Sequence, residues 1–198
     1  MAVFRLGLIV NPIAGMGGAV GLKGSDTPEI IARARELGAT PKSPLRAGEA
    51  LAAIAGDNAE IEVIAAPGEM GEGKARAAGF EPKVIGLSAG TDTDAEDSMR
   101  AAKEMADLPV DLILFAGGDG TARDMVRAIG DRVPVVGIPA GVKMHSAVYA
   151  TNPRAAARMV LRYLRGGVPL RELEVMDIDE AAFREGAVSA KLYGYLNV

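Results

Sequence analysis

The sequence contains no cysteine, so disulfide bridges and metal sites built from thiolates are excluded. Tryptophan is also absent, and aromatic residues make up only 4% of the chain. Because single-stranded nucleic acids are bound largely by stacking their bases on aromatic rings, this composition argues against such a binding platform. The chain has a single histidine, which argues against a metal cluster built from several histidines.

An excess of positive charge is missing as well. The chain carries 22 lysine and arginine residues against 26 aspartate and glutamate residues, for a formal net charge of -4. The basic residues are scattered, so they form neither the footprint of a DNA or RNA site nor a patch for a membrane surface. We therefore expect neither nucleic acid nor a membrane as a partner.

Long hydrophobic segments are also missing. The N-terminal apolar run, residues 4–10, is too short to span a bilayer, and no small-residue cleavage site follows a basic leader. We therefore expect a cytoplasmic protein.

The alternation of apolar runs with helical patterns predicts the fold. The 198 residues, 49% of them hydrophobic, suit one ordinary domain or one domain plus a fragment of another. About five strand-helix alternations predict an α/β fold, a doubly wound and mostly parallel sheet with helices on both faces. The predicted strands are residues 6–10, 61–65, 84–87, 112–116 and 133–138, and the predicted helices are residues 28–37, 46–55, 69–78, 93–105, 122–129 and 153–164.

The pattern changes after Gly167. Residues 170–178 and 187–198 alternate apolar with polar side chains and predict strands without a crossover helix, joined by a short turn or helical piece at residues 180–183. We therefore divide the chain into an α/β nucleotide-binding domain, residues 1–167, and the beginning of a β-rich second domain, residues 168–198. Because the β pattern stops soon after it starts, we expect a truncated chain.

The turn after the fourth predicted strand is the first candidate site. It reads Gly117-Gly118-Asp119-Gly120-Thr121 and leads into a helix. Glycines let backbone amides approach a phosphate, and a helix N-terminus attracts anions. Asp119 would then be a metal ligand or a base that accepts a proton from an attacking hydroxyl. A plain strand-to-helix turn capped by Thr121 is the alternative, but three glycines around one acid exceed what a cap requires.

Two further turns follow other predicted strands. Residues 11–18 are glycine-rich but lack the Lys-Ser/Thr of a Walker A loop, and a simple loop of glycines is the alternative. Residues 139–146 contain Lys143 and His145, where a cation would suit a phosphate. A lone histidine is more often a surface residue than a ligand. The arginines of the last predicted helix, by contrast, predict a solvated face: Arg154, Arg158, Arg162 and Arg165.

The turn at residues 117–121 resembles the superfamily that joins NAD kinases with diacylglycerol and sphingosine kinases. Asn11-Pro12 with Ala14-Gly15 is similar to that superfamily's other glycine-rich turn. Residues 137–146 lie where NAD kinases carry a loop for the nucleotide substrate, and in detail they are closer to the NAD-kinase-like proteins of the acetoin-catabolism type. The resemblance covers most of residues 4–167.

The resemblance implies an ATP-dependent kinase that uses ATP and Mg²⁺, with its site between an α/β domain and a β domain. Asp119 would be the base or help to hold Mg²⁺. The expected nucleotide-binding residues are Asn11, Pro12, Gly15, Gly117, Gly118, Gly120 and Thr121, and the expected substrate loop contains Gly141, Lys143, His145 and Ser146. The family's Asn-Glu pair for NAD has no match, and Asn197 is the nearest candidate.

The expected partner is a small nucleotide substrate. The chain itself is expected to form a homo-oligomer. The alternatives to an NAD-kinase-like enzyme are a non-catalytic nucleotide-binding or metabolite-sensing module and a lipid kinase of the diacylglycerol kinase type.

Overall fold

The computed structural model describes residues 3–22, 28–57, 59–86, 93–141, 144–178 and 189–198. Within these residues the strands are β1 (Phe4–Val10), β2 (Ile61–Ala65), β3 (Lys83–Val84), β4 (Leu112–Gly117), β5 (Val135–Pro139), β6 (Glu172–Ile178) and β7 (Ala190–Asn197). The helices are α1 (Met16–Ala19), α2 (Pro28–Glu36), α3 (Ser43–Ala55), α4 (Glu72–Ala77), α5 (Ala95–Asp107), α6 (Asp119–Ile129) and α7 (Pro153–Leu164).

The first five described strands form one parallel sheet in the order β3-β2-β1-β4-β5. In the centre, Leu8 of β1 pairs with Ala65 of β2 on one side and with Leu114 of β4 on the other. All six residues of β4 are buried, as expected for a parallel strand covered by helices on both faces. The predicted α/β fold class is confirmed.

Two hydrophobic cores lie on the two faces of this sheet. The first joins alternate residues of the strands to α3 and α7, and includes Leu8, Leu51, Leu114 and Val160. The second uses the other face and joins the sheet to α5 and α6. Because successive side chains of a strand point to opposite faces, each central strand contributes to both cores.

The strand order places a topological switch between β1 and β4. From β1 the chain builds β2 and β3 on one side of the sheet, and then β4 and β5 on the other. The loops after β1 and β4 therefore leave toward opposite faces and open a crevice between them, which is where α/β sheets bind ligands. The predicted turns at Asn11 and Gly117 both lie at this crevice.

The antiparallel hairpin β6–β7 packs on α6. Val175 and Leu196 are fully buried and join the core between α6 and the sheet. The two predicted strands are confirmed as an antiparallel pair, and the predicted turn at residues 180–183 between them lies outside the described residues. The division of the chain at residue 167 stays a prediction.

Several element boundaries differ from the predicted ones. Helix α3 begins at Ser43, three residues before the predicted start, because Pro44 fits the first turn of a helix. The predicted helix at residues 69–78 is a 3-10 turn followed by α4, and the two are separated at Gly71. Gly71 has a φ of 156°, and a Cβ there would lie 2.9 Å from the carbonyl oxygen of Leu8.

Two more differences concern the crevice and the edge of the sheet. Met16–Ala19 form one helical turn within the predicted glycine-rich loop. Strand β3 has only two residues, and Leu87, the predicted end of this strand, lies outside the described residues. In the parts of the chain that the structure describes, no helix combines the length and the apolar character needed to cross a bilayer.

Candidate functional site

Three loops converge at the carboxyl edge of the sheet, after β1, β4 and β5. The N–H of Asn11 donates to the carbonyl of Ala116 at 2.9 Å, and the N–H of Ala140 donates to the carbonyl of Gly117 at 2.8 Å. Gly15 lies directly against the third loop, because a Cβ on Gly15 would be 2.3 Å from the carbonyl oxygen of Ala140. The first and third loops are therefore closely packed, and a side chain would not fit at Gly15.

The side chain of Asn11 connects the first loop to the second. Its Nδ2 donates to Oγ1 of Thr121 at 3.1 Å, and its Oδ1 accepts from the N–H of Ile13 at 3.2 Å. Thr121 is buried in the first turn of α6, and a Cβ on Gly117 would lie 2.3 Å from its Oγ1. Gly118 is the N-cap residue, so α6 begins at Asp119 and not after a Thr121 cap.

Asp119 connects the second loop to the third. It is the first residue of α6 and only 8% exposed. Its Oδ2 accepts from the N–H of His145 at 2.7 Å, and its Oδ1 accepts from the N–H of Ser146 at 3.0 Å. A carboxylate in the first turn of a helix is also stabilised by the helix dipole. Both oxygens of Asp119 are thus held by backbone amides of the predicted substrate loop.

Ser146 fixes this loop to the hairpin. Its Oγ donates to the carbonyl of Met176 at 2.7 Å and accepts from the N–H of Met176 at 3.0 Å. The N–H of Ala147 donates to the carbonyl of Glu174 at 2.9 Å, so residues 146–147 run along β6. The side chain of His145, in contrast, is exposed.

Tyr149 holds the turn at Gly118 through a hydrogen bond. Its hydroxyl donates to the carbonyl of Gly118 at 2.5 Å, and its ring lies edge-on to Phe115 with 5.4 Å between centroids. A Cβ on Gly137 would be 2.5 Å from this ring, which explains a glycine inside a buried strand. Burial of the hydroxyl, together with the nearby carboxylates of Asp119 and other acids, raises the pKa of Tyr149 well above its ordinary value.

Arg123 brings a positive charge to the next turn of α6. Its Nη1 lies 3.2 Å from Oδ2 of Asp177 on β6, and its guanidinium lies 5.4 Å from the ring centroid of Tyr193 on β7. A Cβ on Gly120 would be 4.0 Å from Nη2 of Arg123, so the cation is a neighbour of the glycine turn.

Sequence reasoning did not identify Tyr149 or Arg123. For Tyr149 the available signal was the glycine at position 137 within an apolar strand, which indicates the close approach of another group. For Arg123 the signal was its position three residues after Gly120 on the predicted helix. The partners of both residues are far away in the sequence, so pattern alone could not supply them.

The remaining predicted site residues have fewer specific contacts than Asn11 and Asp119. Pro12 lies in the turn after β1 and is partly buried, and Gly120 makes no close approach. A Cβ on Gly141 would be 2.4 Å from Sδ of Met144 and 3.6 Å from Cα of Gly118. Lys143 lies outside the described residues. The predicted solvated face is exposed at all four of its positions, Arg154, Arg158, Arg162 and Arg165.

Asn197 lies far from the crevice. Its Nδ2 donates to the carbonyl of Asp131 at 3.2 Å, just beyond the C-terminal end of α6. Because the 11 residues of α6 span about 16 Å, Asn197 and Asp119 lie near opposite ends of this helix. Asn197 therefore does not supply the substrate-binding asparagine for which it was the nearest candidate.

No group of three or more His, Cys, Asp or Glu side chains that could hold an ion occurs among the described residues. Asp119 is the one carboxylate at the turn between residues 117 and 121, and each of its oxygens already accepts one hydrogen bond. This fits Mg²⁺ only as an ion carried largely by phosphate oxygens and water, which is a common mode for that ion.

Comparison with known proteins gives one result at the level of a family. The family model described as the ATP-NAD kinase N-terminal domain matches residues 6–168. These residues include all three loops of the crevice. No curated protein and no solved structure matches the chain.

Proposed function

The chain belongs to the ATP-NAD kinase N-terminal domain family, and from this premise we propose that it is an ATP-dependent kinase for a hydroxyl group of NAD or a related metabolite. The family is one of kinase-type phosphotransferases that act on small nucleotide substrates. We further propose that the product is NADP or an analogue of it, that the chain is of the acetoin-catabolism type, and that it forms a homo-oligomer.

One observation carries the proposal. Asp119, on the turn at the topological switch, is held through both carboxylate oxygens by the amides of His145 and Ser146. The glycine turn and the predicted substrate loop are thereby joined at one acid. Sites of α/β sheets form at such crevices, and phosphoryl transfer depends mainly on positioning and on charge neutralisation.

In the proposed mechanism the chain's own residues bind and orient. Helix α6 begins at the glycine turn, and its first N–H groups have no partner within the helix. We assign to them the binding of donor phosphates, together with the turn at Asn11. Each oxygen of Asp119 retains a second lone pair, with which it would orient the acceptor hydroxyl and accept its proton. Arg123, next to Gly120, would add positive charge near the phosphates.

Bound Mg²⁺ would neutralise charge on the phosphate oxygens. Asp119 is the described residue that would contact the ion at this turn.

A non-catalytic nucleotide-binding module is the second candidate. It is favoured by the burial of Asp119, which is 8% exposed, and by the amide hydrogen bonds to both of its oxygens. A carboxylate in this state also suits a purely structural connection between two loops. Such a module binds ATP or NAD saturably but releases no phosphorylated product.

Mass spectrometry of reactions with ATP, Mg²⁺ and a panel of hydroxyl acceptors, NAD first, distinguishes the two candidates. We expect the Asp119→Asn variant to lose turnover by at least about a hundredfold while its ATP affinity changes little. Asp131→Asn, an exposed acid beyond the end of α6, is the matched control and should retain full turnover. Equal turnover of the Asp119→Asn variant and the unmodified chain would remove Asp119 from the mechanism. Saturable binding without any product would favour the module.

A further inference from the structure

We infer that Ser146 is a positioning residue: its hydroxyl group attaches the loop after β5 to β6, and the backbone amides of that loop in turn orient the carboxylate of Asp119. The sequence had suggested only that Ser146 belongs to the substrate loop. The inference rests on the proposed function of Asp119, and it assigns to the hairpin a direct influence on the geometry of the crevice.

The hydroxyl of Ser146 forms its hydrogen bonds within the protein. It donates to one backbone group of Met176 and accepts from another, at 2.7 and 3.0 Å. The residue is only 8% exposed. A hydroxyl has one proton to donate, and here Met176 receives it. Ser146 therefore does not donate a hydrogen bond to a substrate in this arrangement.

The contact with Met176 extends the pairing of this loop along β6, which pairs with β7 on one edge. On its other edge, β6 receives the N–H of Ala147 at the carbonyl of Glu174 and then the hydroxyl of Ser146 at Met176. The serine hydroxyl thus takes the place of a backbone group at the next step along the strand.

A closed circuit of polar contacts results. Asp119 at the start of α6 accepts from the amide of Ser146, whose hydroxyl binds Met176. The next residue of β6, Asp177, forms an ion pair with Arg123, which belongs to α6 again. Because the circuit begins and ends on one helix, a displaced hairpin would move the amides away from Asp119. Removing the Ser146 hydroxyl opens the circuit without changing the charge of any group.

The kinetic test is a double-mutant cycle with Ser146→Ala and Asp119→Asn. We expect Ser146→Ala alone to lower kcat about tenfold, with the KM for ATP changed less than about twofold, because it misplaces Asp119 and removes no phosphate contact. In the Asp119→Asn background the same change should have almost no further effect on kcat. Ser98→Ala is the matched control, since Ser98 is also buried and its hydroxyl has no hydrogen-bond partner among the described residues.

Hydrogen exchange gives a readout that does not depend on turnover. Ser146→Ala should speed the exchange of the amides of both Met176 and His145, although only Met176 contacts the lost hydroxyl. The inference is wrong if His145 keeps its protection, or if the kcat effects of the two substitutions simply multiply. Full turnover of Asp119→Asn would instead contradict the proposed function, so the two failures can be told apart.

Discussion

A single buried hydroxyl group shows how much of the crevice depends on individual atoms. The oxygen of Tyr149 donates to the carbonyl of Gly118, the N-cap residue of α6, and no other described hydroxyl reaches that carbonyl. The ring occupies the space that a side chain at position 137 would fill, and it packs edge-on against Phe115. Removing one oxygen atom therefore tests the support of the turn without altering the packing.

We expect Tyr149→Phe to lower the free energy of unfolding at neutral pH by about 1 kcal/mol, the usual cost of one lost hydrogen bond. The variant should also change the response to alkali. The pKa of Tyr149 is raised in the folded state, so above the ordinary tyrosine pKa of 10.0 the native chain retains a proton that the unfolded chain loses. Stability is then fully present below about pH 10 and falls as the pH rises further.

Urea denaturation from pH 8 to pH 11 measures this effect as the difference between the unmodified chain and the variant. The decline above about pH 10 should be smaller in Tyr149→Phe. Tyr163→Phe is the control, because Tyr163 of α7 packs edge-on against Phe4, at the start of β1 and away from the carboxyl edge of the sheet. Parallel declines for the unmodified chain and Tyr149→Phe would show that this hydroxyl is not protected in the folded state.

At the scale of whole elements, the hairpin and α6 act as one unit. Gly194 of β7 has a φ of 151° and lies so close to α6 that a Cβ would be 2.7 Å from Cγ1 of Val126. The ion pair between Arg123 and Asp177 adds a polar contact to the same interface. The apolar side of this interface is provided by Val175 and Leu196, which are fully buried.

We expect Gly194→Ala to detach the hairpin and to lower the free energy of unfolding by about 2–4 kcal/mol, through the unfavourable φ and the overlap with Val126 together. Gly166→Ala is the matched control: Gly166 also has a positive φ, 70°, but a Cβ there would meet nothing within 4 Å. It should cost only about 1 kcal/mol. Faster hydrogen exchange across residues 172–178 should accompany Gly194→Ala alone, and equal effects of the two variants would exclude a special role for the contact with Val126.

Elements whose limits are set by local chemistry were predictable from the sequence. Helix α7 begins after Asn152, whose side chain accepts from the N–H of Ala155, and Pro153 favours the first turn. The break before α4 was not predictable, because Gly71 is forced by the carbonyl of Leu8 on a different element. The start of α6 was also missed, since the glycines around Asp119 suggested a turn where the chain is already helical.

At the scale of the whole molecule, the place of the candidate site followed from the sequence but its internal contacts did not. Parallel strands end at one edge, so the turns after residues 10 and 117 were expected at the same edge once the strands were identified. The pairing of β1 with β4, which makes these turns neighbours, came from the structure. The bonds from His145 and Ser146 to Asp119 join residues 26 and 27 positions apart, and no periodic pattern encodes them. The hairpin depends in the same way on contacts with a helix far from it in the sequence.

A nucleotide that contacts all three loops should stabilise the entire fold. At an ATP concentration of about 100 times its dissociation constant, with Mg²⁺, the free energy of unfolding should rise by about 2.7 kcal/mol. Asn11→Ala removes the bond from Nδ2 to Thr121, so the loops separate and ATP binds less tightly. At the same ATP concentration we expect this variant to gain clearly less stability than the unmodified chain.

Asn152→Ala is the control for Asn11→Ala, because it changes the same residue type at the start of α7. It should lower the stability without ligand by about 1 kcal/mol through the lost helix cap, yet keep the full gain on addition of ATP. Asn11→Ala should show the opposite pattern, a reduced gain whatever its starting stability. Denaturant titrations with and without Mg-ATP measure both quantities, and an equal gain in the two variants would show that the Asn11 turn does not take part in binding the nucleotide.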